Sequence, residues 1–452
     1  MTERSTTEHE LRVWLETTGR LPLPTDVDDL LARTAATRQR PAWTFPERWL
    51  PVNIAIGQPT IAGRRTSLRA IGLVALLLIT LLVGAVFVAG SRRPVPPPFG
   101  LAANGQLVYV RPADGTGAVV DGVYRMPFGD IVLVDPSTGV QTELVGGPAS
   151  DGSPAISLDG TRLAFVRDGT AGKVLYVVDT AGGDPVALGD AFPDIRDPAW
   201  SPDGSKIAFA APDGARWRLW IVSTDGGRAV MVPTGDIVSA AVPQWRPPMG
   251  DELLFLGAST GELLSPGGYR DFWGNDEPGQ DASSIGLYLV RPDGTDLRPV
   301  TPATGSGGDY SHTAWTADGT RILTQVHGPY GYMRVEALDP DGTVRQTFSP
   351  VVGLETLAPL LSPDGRSVAY ADLGAGDHWT LRVARLGESG PPVGVAEFDG
   401  GAASYAWSPD GRTIVVTHHY FRETWLVDIA NKTKTKATWF DSGNPAWQRL
   451  AS

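Results

Sequence analysis

Residues 104–449 predict an all-β fold, a seven-bladed β-propeller of four-stranded antiparallel blades. Three observations lead there. A turn-centred motif returns at a near-constant interval, a second hairpin signal follows every copy, and the two ends of the stretch hold complementary halves of one unit.

The motif is plainest in SPDGSKIAFA (Ser201–Ala210), SPDGRSVAYA (Ser362–Ala371) and SPDGRTIVVT (Ser408–Thr417). SLDGTRLAFV (Ser157–Val166) and TADGTRILTQ (Thr316–Gln325) belong with them, and ANGQLVYV (Ala103–Val110) and PMGDELLFL (Pro248–Leu256) are degenerate copies. The shared glycines are Gly105, Gly160, Gly204, Gly250, Gly319, Gly365 and Gly411, spaced 55, 44, 46, 69, 46 and 46 residues apart. An Asp-Gly pair between apolar runs is a hairpin signal, because glycine takes positive φ without steric cost. A short strand such as Ala199–Trp200 precedes the turn, and an alternating strand such as Lys206–Ala210 follows it.

The second turns are Ser137–Gly139, Ala181–Asp184, Asp225–Gly227, Asp293–Gly294, Asp341–Gly342, Glu388–Gly390 and Asn431–Lys432. Two hairpins in about 46 residues make a four-stranded blade, and repetition of such blades makes a propeller. Pro445-Ala446-Trp447 is a first strand with no hairpin after it, whereas Asn104-Gly105 opens a unit with no first strand before it. The C-terminal strand is therefore expected to complete the N-terminal blade and to cover otherwise exposed edges.

The run PAWSPDGSKIAFA (Pro198–Ala210) with its following hairpin resembles the TolB-type propeller repeat, a relative of WD-repeat propellers, over roughly residues 104–449. The resemblance implies the fold and leaves function open, because such propellers serve as scaffolds, binding modules and occasionally enzymes. TolB itself has six blades and a separate N-terminal domain. This chain departs on both counts, and a Tol–Pal role is not carried over.

Ahead of the ring, Ala70–Gly90 (AIGLVALLLITLLVGAVFVAG) is uncharged for 21 residues. As a helix it would span about 31 Å, the hydrocarbon thickness of a bilayer, and a transmembrane segment is expected. Arg64, Arg65 and Arg69 before it, against Arg92 and Arg93 after it, favour a cytoplasmic N-terminus and an extracytoplasmic propeller. Almost 70 residues precede the segment, so a cleavable signal peptide is not expected. The linker 91–103 contains PVPPP (Pro94–Pro98), a stiff spacer. Within the small N-terminal region 1–69, residues 8–18 and 26–38 read as short helices and 39–52 as an aromatic, proline-rich stretch.

Composition narrows the chemistry. There is no cysteine among 452 residues, which removes disulfides, thiolate metal sites and cysteine nucleophiles. Net charge is −12, with residues 1–69 at +2 (ten arginines against eight acids) and the remainder at −14 (28 basic, 42 acidic). An acidic ring argues against nucleic acid as a partner. Gly257-Ala258-Ser259-Thr260-Gly261 matches the nucleophile-elbow pattern, but the ELLSPGG that follows cannot form the helix which that elbow needs. Only three residues follow Arg449, so no appended hydrolase domain is expected.

Candidate binding residues gather on the face opposite the Asp-Gly turns, where the length excess sits at Arg111–Asp130 and Gly257–Ser284. Tyr269 and Trp273 lie in the second of these insertions. His312 precedes a first strand; His327, His378, His418 and His419 occupy or border loops between second and third strands, with Tyr330 nearby. Asp194 and Asp197 precede the Ala199–Trp200 strand and could reach the channel mouth, although such aspartates also hold turns. The histidine spacing is irregular, so solvated loop histidines are expected and neither a metal nor another cofactor is assigned.

The leading expectation is a membrane-anchored, extracytoplasmic propeller that binds a protein or an envelope polysaccharide on the long-loop face without chemistry. One alternative is a metal-dependent carbohydrate-active, lyase-like propeller using His312, His327, His418 and His419. Another is a transmembrane signalling protein whose N-terminal region acts as membrane anti-sigma factors do, although the cysteine-containing zinc signature common among them is absent.

Overall fold

A computed structural model of the chain describes residues 100–112, 119–120, 123–124, 128–258, 285–301, 309–327, 333–348, 355–374, 378–400, 404–418, 422–439 and 442–451. The chain divides into two compact units, 1–88 and 89–452, and every described residue falls in the second. The expected helices 8–18 and 26–38 and the expected span 70–90 lie outside the described residues. Among the described residues there is no helix, and none therefore that is long and apolar enough to cross a membrane.

Strands account for the architecture. β1 (Ala103–Pro112) is followed by a small ribbon of β2 (Val119–Val120) and β3 (Val123–Tyr124), then by β4 (Gly129–Val134) and β5 (Gln141–Val145). Next come β6 (Ser150–Ile156), β7 (Arg162–Gly169), β8 (Gly172–Asp179) and β9 (Val186–Phe192), paired in that order. The pattern repeats in β10 (Arg196–Trp200), β11 (Lys206–Asp213), β12 (Arg216–Ser223) and β13 (Val230–Met231). It repeats again in β14 (Ser239–Trp245), β15 (Leu253–Ala258), β16 (Ile285–Val290) and β17 (Arg298–Pro299). Then follow β18 (Asp309–Trp315), β19 (Ile322–His327), β20 (Met333–Leu338) and β21 (Val344–Phe348). After them come β22 (Glu355–Leu361), β23 (Ser367–Leu373), β24 (His378–Arg385) and β25 (Val393–Asp399). The series ends with β26 (Ser404–Trp407), β27 (Thr413–His418), β28 (Glu423–Asp428) and β29 (Thr433–Lys436).

Strand β30 (Ser442–Leu450) pairs antiparallel with β1, Leu107 opposite Trp447 and Ala103 opposite Leu450, so the last strand completes the first sheet as its sequence implied. The start of that sheet lies slightly earlier than the linker boundary at 103. Ala102 N–H donates to Pro409 O at 3.0 Å, and Arg449 Nη2 donates to Gly100 O at 2.7 Å.

The first strands touch one another in turn: β6 and β10, β10 and β14, β18 and β22, β22 and β26, β26 and β30, β30 and β6. Gln244 of β14 reaches β18, donating to Thr313 Oγ1 at 3.0 Å and to Thr313 O. This arrangement of sheets around a ring of first strands is a propeller. The apolar cores lie between successive sheets, because the second strands alternate direction at each residue. Ala164 and Val166 of β7 face Ile207, Phe209 and Ala211 of β11; Ala369 and Ala371 of β23 face Ile414 and Val416 of β27. Each fully buried valine, isoleucine or phenylalanine among them contributes roughly 1.5–3 kcal/mol. Tryptophan indoles bolt neighbouring first strands, Trp200 Nε1 to Ala155 O (2.8 Å), Trp245 to Ala199 O (3.0 Å) and Trp407 to Leu360 O (3.2 Å).

The Asp-Gly turns hold themselves. In Ser201–Lys206 the Ser201 hydroxyl donates to Asp203 Oδ1 at 2.6 Å, Ser205 N–H donates to the same oxygen at 3.0 Å, and Lys206 N–H donates to Ser201 Oγ at 2.9 Å. The same closed set recurs around Asp159 and Asp318, with threonine replacing serine where the sequence changes.

Candidate functional site

The opposite end of the sheets is built from the starts of the first strands and the ends of the second. Each first strand from β6 to β22 carries a bulge that sets two residues against one. Ser153-Pro154 stand opposite Phe165, Asp197-Pro198 opposite Phe209, Val242-Pro243 opposite Phe255 and His312-Thr313 opposite Thr324. The first residue of each pair takes a positive φ: 50° at Ser153, 52° at Asp197, 54° at Val242 and 45° at His312. Proline suits the next position because a bulged residue has no ladder bond to lose. Left-handed backbone costs roughly 1–2 kcal/mol for an L-residue, most for branched valine. Asp197 and His312, singled out from the sequence, therefore occupy equivalent places on different sheets, joined there by Ser153 and Val242. Positive φ at one repeated place holds these side chains at one level of the ring; His312 is exposed and Asp197 partly so.

Asp194 serves its neighbours. It accepts from Lys173 Nζ at 2.6 Å, Arg196 Nε at 3.0 Å and Ile195 N–H at 3.0 Å. Those cations also lie on aromatic rings, Lys173 4.6 Å from Phe128 and Arg196 4.9 Å from Trp217. Close by, buried Asp151 takes Arg167 through both nitrogens (2.7 and 2.9 Å), and Arg167 lies 4.9 Å over Tyr176. The rim between the β6–β9 and β10–β13 sheets is thus a network of charged pairs laid on aromatic faces.

The histidines do not converge. His418 was expected as a solvated loop residue, but it is 2% exposed at the end of β27, opposite Glu423. The register explains the difference: β27 continues one residue beyond Thr417, which turns His418 into a sheet interface. Glu423 is held below the usual carboxylate range chiefly by its hydrogen bond from Lys436, with smaller contributions from Trp425 and His418. His378 is exposed and its Nδ1 lies 2.6 Å from Asp399 Oδ1. His327 ends β19 in register with Asp309 and Met333, and its side chain lies outside the described residues, as do His419, Tyr330, Tyr269 and Trp273. Among the described residues no group of three His, Asp or Glu side chains could hold a metal ion.

Sequence reasoning missed a set of buried polar side chains near the ends of the second strands: Gln325, Asp372, Thr417 and Thr424. Arg382 Nε donates to Asp372 Oδ2 at 2.5 Å, and burial together with the adjacent Asp372 carboxylate pushes Tyr370 up to about 12. The bulge positions were legible in principle, since X-Pro stands seven residues before the turn glycine at Ser153 and Asp197 and eight before it at Val242.

No protein-family description matches the chain, and no curated protein matches it. Solved structures do. An oligogalacturonate lyase in complex with manganese aligns at 17% identity over 74% of this chain and 91% of its own, with a TM-score of 0.51. An oligogalacturonate lyase from Vibrio parahaemolyticus aligns at 14% identity over 68% and 84%, with a TM-score of 0.52. TolB from Acinetobacter baumannii aligns at 16% identity over 72% and 81%, with a TM-score of 0.43. At such identities the likeness is one of fold alone.

Proposed function

We propose that the chain is a membrane-anchored, seven-bladed propeller that binds a protein or polysaccharide ligand on its loop face without chemistry. The observation that carries this reading is the ring of bulges: one backbone conformation, repeated on successive sheets, presents Ser153, Asp197, Val242 and His312 at one level. A fixed frame carrying unlike side chains suits recognition, in which contacts differ from blade to blade. The seven-blade count draws on the seven turn glycines of the sequence and on the strand order ending with β30 against β1. The anchor draws on the uncharged run 70–90, with the flanking arginines placing residues 1–69 in the cytoplasm.

The test uses the purified full chain and oligogalacturonate as an acidic polysaccharide probe, with elemental analysis before and after chelation. Expected are binding without turnover, and loss of that binding in Asp197→Ala and His312→Ala. Stoichiometric metal together with turnover that chelation abolishes would replace this reading with the lyase-like one. Protease protection of residues 1–69 in sealed right-side-out vesicles, with the propeller cleaved, is the expected result for the orientation.

A further inference from the structure

At the turn end of the sheets Arg321 departs from its counterpart Arg162. Two residues after the turn glycine, Arg162 serves as a bolt between sheets: its Nη2 donates to Gly204 O at 2.6 Å, and its guanidinium lies 4.7 Å over the Trp200 ring. Arg321 holds the same position after Gly319, but the next sheet presents Leu361 where Trp200 stands in the other pair. With no ring to lie on, the Arg321 side chain makes no hydrogen bond or ion pair among the described residues. It is partly exposed and lines a groove of about 680 Å³ with Arg246, Thr320, Asp339, Asp341 and Arg345.

The other charges of the groove are committed. Arg246 Nη1 donates to Glu252 at 2.6 Å and its Nε to Gly319 O at 3.0 Å. Arg345 Nε donates to Asp339 at 2.6 Å, and Asp341 accepts from Thr343 N–H at 2.9 Å. Arg321 is left as a guanidinium in want of a carboxylate, on a ring that is otherwise acidic. The adjoining turn departs from the repeat as well. Arg246-Pro247-Pro248-Met249-Gly250 replaces Ser-Pro-Asp-Gly with one residue more, and Met249 stands 80% exposed in this turn. Trp315, the nearby indole, is covered by the Arg246 guanidinium at 5.2 Å and offers no stacking platform for a sugar ring.

We propose that this groove docks an acidic peptide segment of a partner protein, its carboxylate on Arg321 and an adjacent apolar side chain on Met249. This surface lies at the opposite end of the sheets from the bulge ring, so a failure here leaves the loop-face reading intact. The probe is a fluorescein-labelled peptide with one glutamate flanked by leucines, and its glutamine counterpart is the control. Both are titrated against the full chain by fluorescence anisotropy at low and high salt. The glutamate peptide is expected to bind about tenfold tighter at low salt, and high salt should narrow the gap. Arg321→Gln should abolish the preference, Arg321→Lys should keep part of it, and Met249→Ser should weaken both peptides several-fold. The Arg321→Gln chain should unfold at the wild-type denaturant midpoint, since the side chain supports nothing. Equal binding of the two peptides, a glutamate preference that survives Arg321→Gln, or no binding of either overturns the proposal. Competition by galacturonate as effective as that of the glutamate peptide also overturns it, in favour of an acidic sugar.

Discussion

The two ends of each sheet solve the same problem in different ways. At the turn end, the repeated side-chain groups are satisfied within five residues of one another: Ser201, Asp203, Ser205 and Lys206 close a set to which the neighbouring sheet adds only a bond from Arg162 to Gly204 O. At the loop end they are satisfied across strands, Asp151 by Arg167 sixteen residues on, Asp372 by Arg382, and Asp194 by Lys173 twenty-one residues back. A local solution can be copied from blade to blade, and so it repeats. A cross-strand solution depends on which partner the opposite strand carries, and so it differs at every blade. The variable end is the one suited to recognition.

The comparison breaks if loop-end pairs prove weak. Asp372→Ala should cost about 3–5 kcal/mol in chemical denaturation of the full chain, because it strands the Arg382 charge beside buried Tyr370. Replacing both partners by apolar residues of similar volume should cost far less. A single variant that unfolds like wild type would mean that the loop end is held by packing alone.

Glycines sharpen the contrast next. Gly160 has φ +71°, and a Cβ there would lie 1.9 Å from the Arg449 carbonyl of the closing strand. Gly160→Ala should cost about 2–4 kcal/mol. Gly214, between β11 and β12 at the loop end, has φ +64° with nothing near a Cβ, so Gly214→Ala should cost only about 1 kcal/mol. Similar losses at both sites would show that backbone conformation, rather than close approach, sets the demand for glycine.

The turns offer a smaller and pH-dependent effect. Hydrogen bonds, first from Ser201 and then from Ser205, lower Asp203 to about 2 from an ordinary 3.8. The folded value lies below the unfolded one, so the stability it contributes is full above the ordinary value and is lost as pH falls toward about 2. Asp203→Asn should be less stable than wild type at neutral pH, with a gap that closes on acidification. A pH-independent gap would remove the carboxylate from the account. Smallest of all, Val242→Asn should raise stability by about 0.5 kcal/mol, since asparagine tolerates the positive φ that valine resists. A fall would show that the packing of Val242 against Ala210, Trp217 and Ala241 outweighs the relief of its backbone.

The same division explains what was legible. The turn glycines, the strands around them and the closing of β30 on β1 were readable because local chemistry repeats at a fixed interval. His418 was misjudged because burial depends on how far β27 runs beyond Thr417, and pairing with Glu423 decides that. Asp194 was rightly suspected of holding structure, but its cations, Lys173 and Arg196, come from a strand pairing and a turn that periodicity does not reveal. The bulge ring left a trace in the recurrent X-Pro, yet its meaning needed the register of Asp197 against Phe209.

The pairing of β1 with β30 also bears on how the chain is made. Trp447 bonds to Gly105 O across 342 residues, so a ribosome delivers the first sheet's edge long before the strand that covers it. At common synthesis rates that interval is on the order of tens of seconds. Throughout it the apolar edge of β1 is open to any passing strand, including the β1 of another nascent chain. The closing strand is thus a safeguard that arrives late, and early blades must fold without it or be shielded until it comes.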